Sequence, residues 1–108
     1  MIAYSHCIAH GYDLVHGLTQ QAAAVKSGAW PLFRYDPRRR ERGENPFQLD
    51  AKPPSIPFRQ FAYNETRFTM LAHIDAAAAK AALAAAEDEI ARRWRFYERL
   101  AAQDGGAA

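Results

Sequence analysis

Apolar positions recur at helical spacing in two stretches of this chain and crowd together in a third. Between residues 12 and 27, Leu14, Val15, Leu18, Ala22 and Val25 form a helical series, and Gly28 stands where a left-handed C-cap would end it. That spacing predicts a helix over 12–27. Asp75 then precedes a run to Ala101 without Gly or Pro and rich in strong helix formers, which predicts the longest helix over 75–102. On it Leu83, Ile90, Trp94, Tyr97 and Ala101 share one stripe, while Glu87, Asp88, Arg92, Arg95 and Arg99 fall largely elsewhere. Acidic residues come before basic ones, which suits the macrodipole and permits pairs such as Glu89–Arg93.

Between these helices the pattern changes. Trp30-Pro31-Leu32-Phe33-Arg34-Tyr35 reads as a short edge strand, with Phe47-Gln48-Leu49 as its partner, so a two-strand remnant is expected near 31–35 and 46–50. The rest of Asp36 to Pro57 carries five of the six prolines and reads as loop. A further helical region opens near Pro57, with Phe58, Phe61 and Tyr63 on one face. Ile2-Ala3-Tyr4-Ser5 begins abruptly and reads as the end of a buried strand whose earlier part is missing; Gly11 closes the following turn.

Composition narrows the function classes. The 108 residues suit one domain or part of one, and an apolar share of 49% is that of a soluble globular protein. Alanine supplies 23 residues, however, so much of that share is methyl groups with little to bury. A net charge of +2 argues against a nucleic-acid or membrane footprint. No apolar run reaches the ~18 residues of a membrane span, and the first residues lack the order of a signal peptide, so a cytoplasmic protein is expected. The single Cys7 excludes an internal disulfide and a self-contained four-cysteine centre.

Few residues offer chemistry. His6, Cys7, His10 and His16 cluster, and their spacing permits a zinc site. Spacing alone favours a small buried hydrophobe with hydrogen-bonded histidines. Arg34, Arg38, Arg39, Arg40 and Arg42 lie near aromatics, but Asp36, Glu41 and Glu44 cut the local excess to +2, which fits a solvated loop. Trp94 and Tyr97 form either an interface anchor or part of the core. Asp13, Asp50, Glu65 and Asp75 are too dispersed for a general acid–base pair. Gly-rich phosphate loops and nucleophile elbows are absent from the sequence.

Three blocks carry a resemblance: Tyr4-Ser5-His6-Cys7-Ile8-Ala9-His10-Gly11, Trp30-Pro31-Leu32-Phe33-Arg34-Tyr35-Asp36-Pro37 and Asn45-Pro46-Phe47-Gln48-Leu49-Asp50. In order and spacing the chain resembles the C-terminal part of pyruvate:ferredoxin (or flavodoxin) oxidoreductase, from Ile2 to about Ala102. The resemblance implies the end of a thiamine-diphosphate-binding α/β domain, with this chain mostly helical and holding a remnant of short strands. It implies that Cys7 is one of four thiolates on a [4Fe–4S] cluster, the other three lying outside this chain; His6 and His10 read either as supports of that cluster or as purely structural residues. The complete enzyme would decarboxylate pyruvate with thiamine diphosphate and magnesium. It would pass electrons singly through clusters to ferredoxin or flavodoxin and give the acetyl group to coenzyme A.

The magnesium and diphosphate segment and the partner cysteines are missing here, so the expectation is a truncated product or excised piece. Residues 1–102 form that piece and 103–108 a disordered tail. Alone it is expected to be inactive and to bind no cofactor. Its partners would be the remainder of the parent enzyme and further copies of itself, with no nucleic acid or membrane. Uncovered faces are expected at Ile2, Tyr4, Ile8, Leu14, Leu18, Trp30, Leu32 and Phe33. The competing expectation is a free-standing helical module that binds a partner through the Trp94–Tyr97 face.

Overall fold

The computed structural model describes residues 1–105. Four helices and a two-stranded sheet follow one another along the chain: α1 (Gly17–Lys26), β1 (Phe33–Tyr35), β2 (Phe47–Leu49), α2 (Phe58–Ala62), α3 (Thr66–Ile74) and α4 (Ala76–Ala101). Short 3-10 segments occupy Ile8–His10, Leu14–His16 and Pro37–Arg42. The mostly helical chain with a strand remnant is therefore as expected, and so are the places of its longest helix and both strands.

Local chemistry explains the boundaries. The Asp13 carboxylate accepts the Val15 N–H at 3.1 Å, so the 12–27 segment opens as a 3-10 turn and becomes α-helical only at Gly17. It ends at Gly28, whose φ of 77° is the left-handed conformation that glycine adopts without a steric penalty. A Cβ there would lie 2.9 Å from Ile90 Cγ2 and Pro54 Cγ, so the residue also permits close packing under α4. Asp75 caps α4 by accepting the Ala78 N–H at 3.0 Å. The strands pair antiparallel, Phe33 with Leu49 and Tyr35 with Phe47; Pro31 delays the first strand to Phe33.

Two expectations are corrected. Residues 37–42 are a 3-10 helix rather than loop, because Asp36 caps the turn through the Arg38 N–H and Pro37 supplies a preset first position. Ile2–Ser5 forms no strand: neither β1 nor β2 pairs with it, and only Tyr4 of the four is partly covered. Of the pairs that the spacing on α4 permits, the one formed at Glu89 is with Arg92 and not Arg93. Arg92 takes Glu89 and Asp88, at 2.6 and 3.1 Å, while Arg93 turns to the end of α1.

Packing is thin and divided. Ala24, Phe61 and Ala62 form the buried centre of one cluster, with Tyr4, Trp30, Phe58 and Phe68 around them. Phe33, Phe47 and Tyr97 form a second aromatic group at ring separations of 5.1–5.9 Å, next to buried Trp94. The alanine-rich half of α4 lies against α3 and α2, where methyl groups allow close approach. On α1 the buried residues are Gly17, Gln20 and Ala24. Its aliphatic stripe faces outward, with Val15 and Leu18 about four-fifths exposed. Six of the eight residues expected to be uncovered are exposed; Tyr4 and Trp30 are the exceptions, packed against each other at 5.4 Å. In the 103–108 segment Gly105 lies against the Gly43–Glu44 backbone. Residues 106–108 lie outside the described residues.

Candidate functional site: the Cys7 turn and its support

Cys7 sits exposed at the start of a tight turn. Its own backbone is extended, the Ile8–His10 segment follows, and Gly11 at φ 76° ends it with an N–H bond to the Ile8 carbonyl. The turn is anchored to the beginning of α3. Thr66 donates its N–H at 2.9 Å and its hydroxyl at 2.6 Å to the Gly11 carbonyl. A side chain at Gly11 would overlap Thr66, so this close approach needs glycine.

Beside the turn lies a buried polar group that the sequence reading set aside. Glu65 is fully buried; its Oε2 accepts Arg67 Nε at 2.6 Å, and its Oε1 lies 3.6 Å from His10 Nδ1, too long for a hydrogen bond. Arg67 also donates to the Tyr4 hydroxyl at 3.1 Å. Burial raises the Tyr12 pKa above its ordinary value, and the Glu65 carboxylate adds to the effect. The signal for Glu65 was available: an acidic residue at the entry to a helix, two places before an arginine.

The other candidates separate. His6 lays its ring over Gly17, where a Cβ would come within 2.7 Å of it, and His16 stands exposed at the start of α1. Asp13 and Asp75 are helix caps. Arg34 makes a bidentate pair with Asp50, Arg38 pairs with Asp36, and Arg39 and Arg42 share Glu44, so the basic run is largely neutralised on its own acids. Trp94 is buried and Tyr97 stacks on Phe47, so the face invoked for a free-standing interaction module is filled by this chain's own strands. Among the described residues no group of three or more His, Cys, Asp or Glu is arranged to hold a metal ion. Cys7 is an exposed thiol at the start of its turn.

Two further residues act at helix ends. Arg93 donates to the Gly28 and Ala29 carbonyls at 3.0 and 2.9 Å, satisfying groups just past α1. Asn45 donates to the Leu100 and Ala101 carbonyls at 2.8 and 3.2 Å while accepting the Phe47 N–H, so it ties the end of α4 to the start of β2.

The chain is 45% identical over 104 residues to a pyruvate-flavodoxin oxidoreductase of Trichormus variabilis, covering 96% of this chain and 9% of that protein. It is 45% identical over 101 residues to that of Rhodospirillum rubrum, covering 94% and 8%. Over nearly its whole length the chain is similar to pyruvate-flavodoxin oxidoreductases. A pyruvate:ferredoxin oxidoreductase of Moorella thermoacetica matches at 39% over 101 residues, 94% of this chain and 9% of that protein. This chain thus spans about a tenth of the length of the curated relatives it matches. No family model matches it. The resemblance read from the three blocks is borne out, and it extends across nearly the whole chain.

Proposed function

We propose that this chain works as one segment of an oxidoreductase that converts pyruvate to acetyl-coenzyme A and passes electrons to flavodoxin or ferredoxin. In this reading it closes the thiamine-diphosphate-binding α/β domain, and Cys7 supplies one thiolate to a [4Fe–4S] cluster. The observation that carries the reading is likeness over some 95% of the chain to proteins about ten times longer, joined to an exposed thiol on a pinned turn. A [4Fe–4S] cluster, when bound, accepts and releases single electrons. The contribution of this chain's residues is positional. The turn presents the sulfur outward, Gly11 and Thr66 fix its far end, and the exposed thiol meets a cluster without being buried as an unpaired charge. No residue here is assigned to thiamine diphosphate, magnesium, pyruvate or coenzyme A; those roles fall to the rest of the enzyme, located in the cytoplasm on this proposal.

The test is Cys7→Ala in a complete oxidoreductase containing this segment. Iron content and the electron paramagnetic resonance of one cluster should fall, together with electron transfer, while thiamine diphosphate binding persists. Unchanged iron and spectra would remove Cys7 from the ligand set.

A further inference from the structure

We propose that Glu65 is a positioning residue for the Cys7 turn, acting with Arg67 as a clasp across both sides of it; the link to electron transfer rests on the reading of Cys7 as a cluster ligand. On the upstream side Arg67 Nη2 donates to the Tyr4 hydroxyl at 3.1 Å. On the downstream side the Glu65 carboxylate faces His10 Nδ1 at 3.6 Å, and the adjoining Thr66 donates twice to the Gly11 carbonyl. Glu65 joins the two sides, because its Oε2 accepts Arg67 Nε at 2.6 Å. Cys7 is held between these fastenings, three residues after Tyr4 and three before His10.

The burial of Glu65 needs a reason. A carboxylate withdrawn from water is costly unless paired, and the neighbouring core of Ala24, Phe61 and Ala62 calls for no charge. Its place at the entry to α3 offsets part of that cost through the helix dipole. What remains is directional. Glu65 Oε1 and His10 Nδ1 are both enclosed and lack hydrogen-bond partners among the described residues, so the spare capacity of the carboxylate points at the Cys7 segment. A metal ligand has to be held to within about 0.5 Å, and an exposed turn does not achieve that by its own packing.

The experiment uses this chain with a nitroxide label on Cys7, its single thiol. Glu65→Gln keeps the shape and removes the charge that holds Arg67. It should narrow the lines of the label and, on unlabelled protein, speed alkylation of Cys7 several-fold, with helical content unchanged. Phe47→Leu loosens the second aromatic group, which contains no residue of the clasp, and should leave the label as it is in the parent chain. Equal narrowing in both variants, or no change in Glu65→Gln, overturns the proposal. Should Glu65→Gln fail to fold, Arg67→Gln opens the same clasp from its partly exposed side, and an unchanged label there also overturns it. The ligand reading is judged separately: full iron content after Cys7→Ser in a complete oxidoreductase would sink that reading, while the label still decides whether the clasp exists.

Discussion

At Asn45 and Arg93, single side chains from elsewhere in the chain bond to carbonyls at helix ends. Asn45→Ala removes two bonds to the last carbonyls of α4 and should cost about 1–2 kcal/mol in chemical denaturation. Arg93→Ala removes charge-assisted bonds to Gly28 and Ala29, with an expected loss of about 1.5–3 kcal/mol. Titration adds a check on Asp36, whose carboxyl is lowered to about 2, first by its side-chain bond from Arg38 and then by the Arg38 N–H. A lowered folded pKa means that the cap is present above the ordinary carboxylate range and is lost as pH falls through about 2. Carboxyl chemical shifts followed from pH 5 downward should place that midpoint well below the one for free aspartate. Tyr12 has the opposite sign. Its pKa is raised by burial, so the unfolded chain ionises first and stability should decline as pH climbs past 10. Tyr12→Phe should remove that part of the alkaline decline.

The elements show how close approach substitutes for large apolar groups. α1 turns Gly17, Gln20 and Ala24 inward, and Gln20 is held by Phe61 and Asn64 at 2.9 and 3.2 Å. Leu18, and Val15 in the turn before the helix, are left outside. Gly28 is one example: Gly28→Ala meets both a positive φ and two neighbours at 2.9 Å. It should lower stability by about 1–3 kcal/mol, measured as a shift in the denaturation midpoint, with helical content retained. The periodicity of α4 and its Asp75 cap were legible because a 26-residue helix without Gly or Pro leaves few alternatives. The turn at 37–42 was legible in principle, since Asp36-Pro37 is a cap followed by a first-turn proline, but the surrounding charge run masked it.

As a whole the molecule is open. Its radius of gyration is 16.7 Å, against about 13 Å for a compact chain of this size. Its accessible surface is 7551 Å², against about 6,000 Å² from the scaling for folded monomers. Exposed Ile2, Ile8, Val15 and Leu18 contribute to that excess. Sedimentation of this chain should therefore show mass rising with concentration, and Leu18→Lys with Ile8→Lys should reduce the effect. A single mass at all concentrations would count against it. Reconstitution of the chain with iron and sulfide in the absence of air should leave no stable cluster, because one thiolate cannot serve for four; tight stoichiometric iron would count against the proposed role of Cys7.

The order of residues alone determined the helices at 17–26 and 76–101, the two short strands and the likeness carried by the Cys7, Trp30 and Asn45 blocks. Those features are local: spacing, caps and turn residues act over a few positions, and a run such as Asn45-Pro46-Phe47 is recognised without knowing what it touches. The tertiary structure decided what such signals leave open. It brought Glu65 to His10 across 55 positions, Arg93 to Gly28 across 65 and Asn45 to Leu100 across 55. It also chose the small-residue face of α1 for burial, because Gly17 leaves room for the His6 ring and Ala24 for Phe61 and Ala62. A buried carboxylate looks in sequence like any surface glutamate; only the chain's closure removed it from water and set it beside the Cys7 turn.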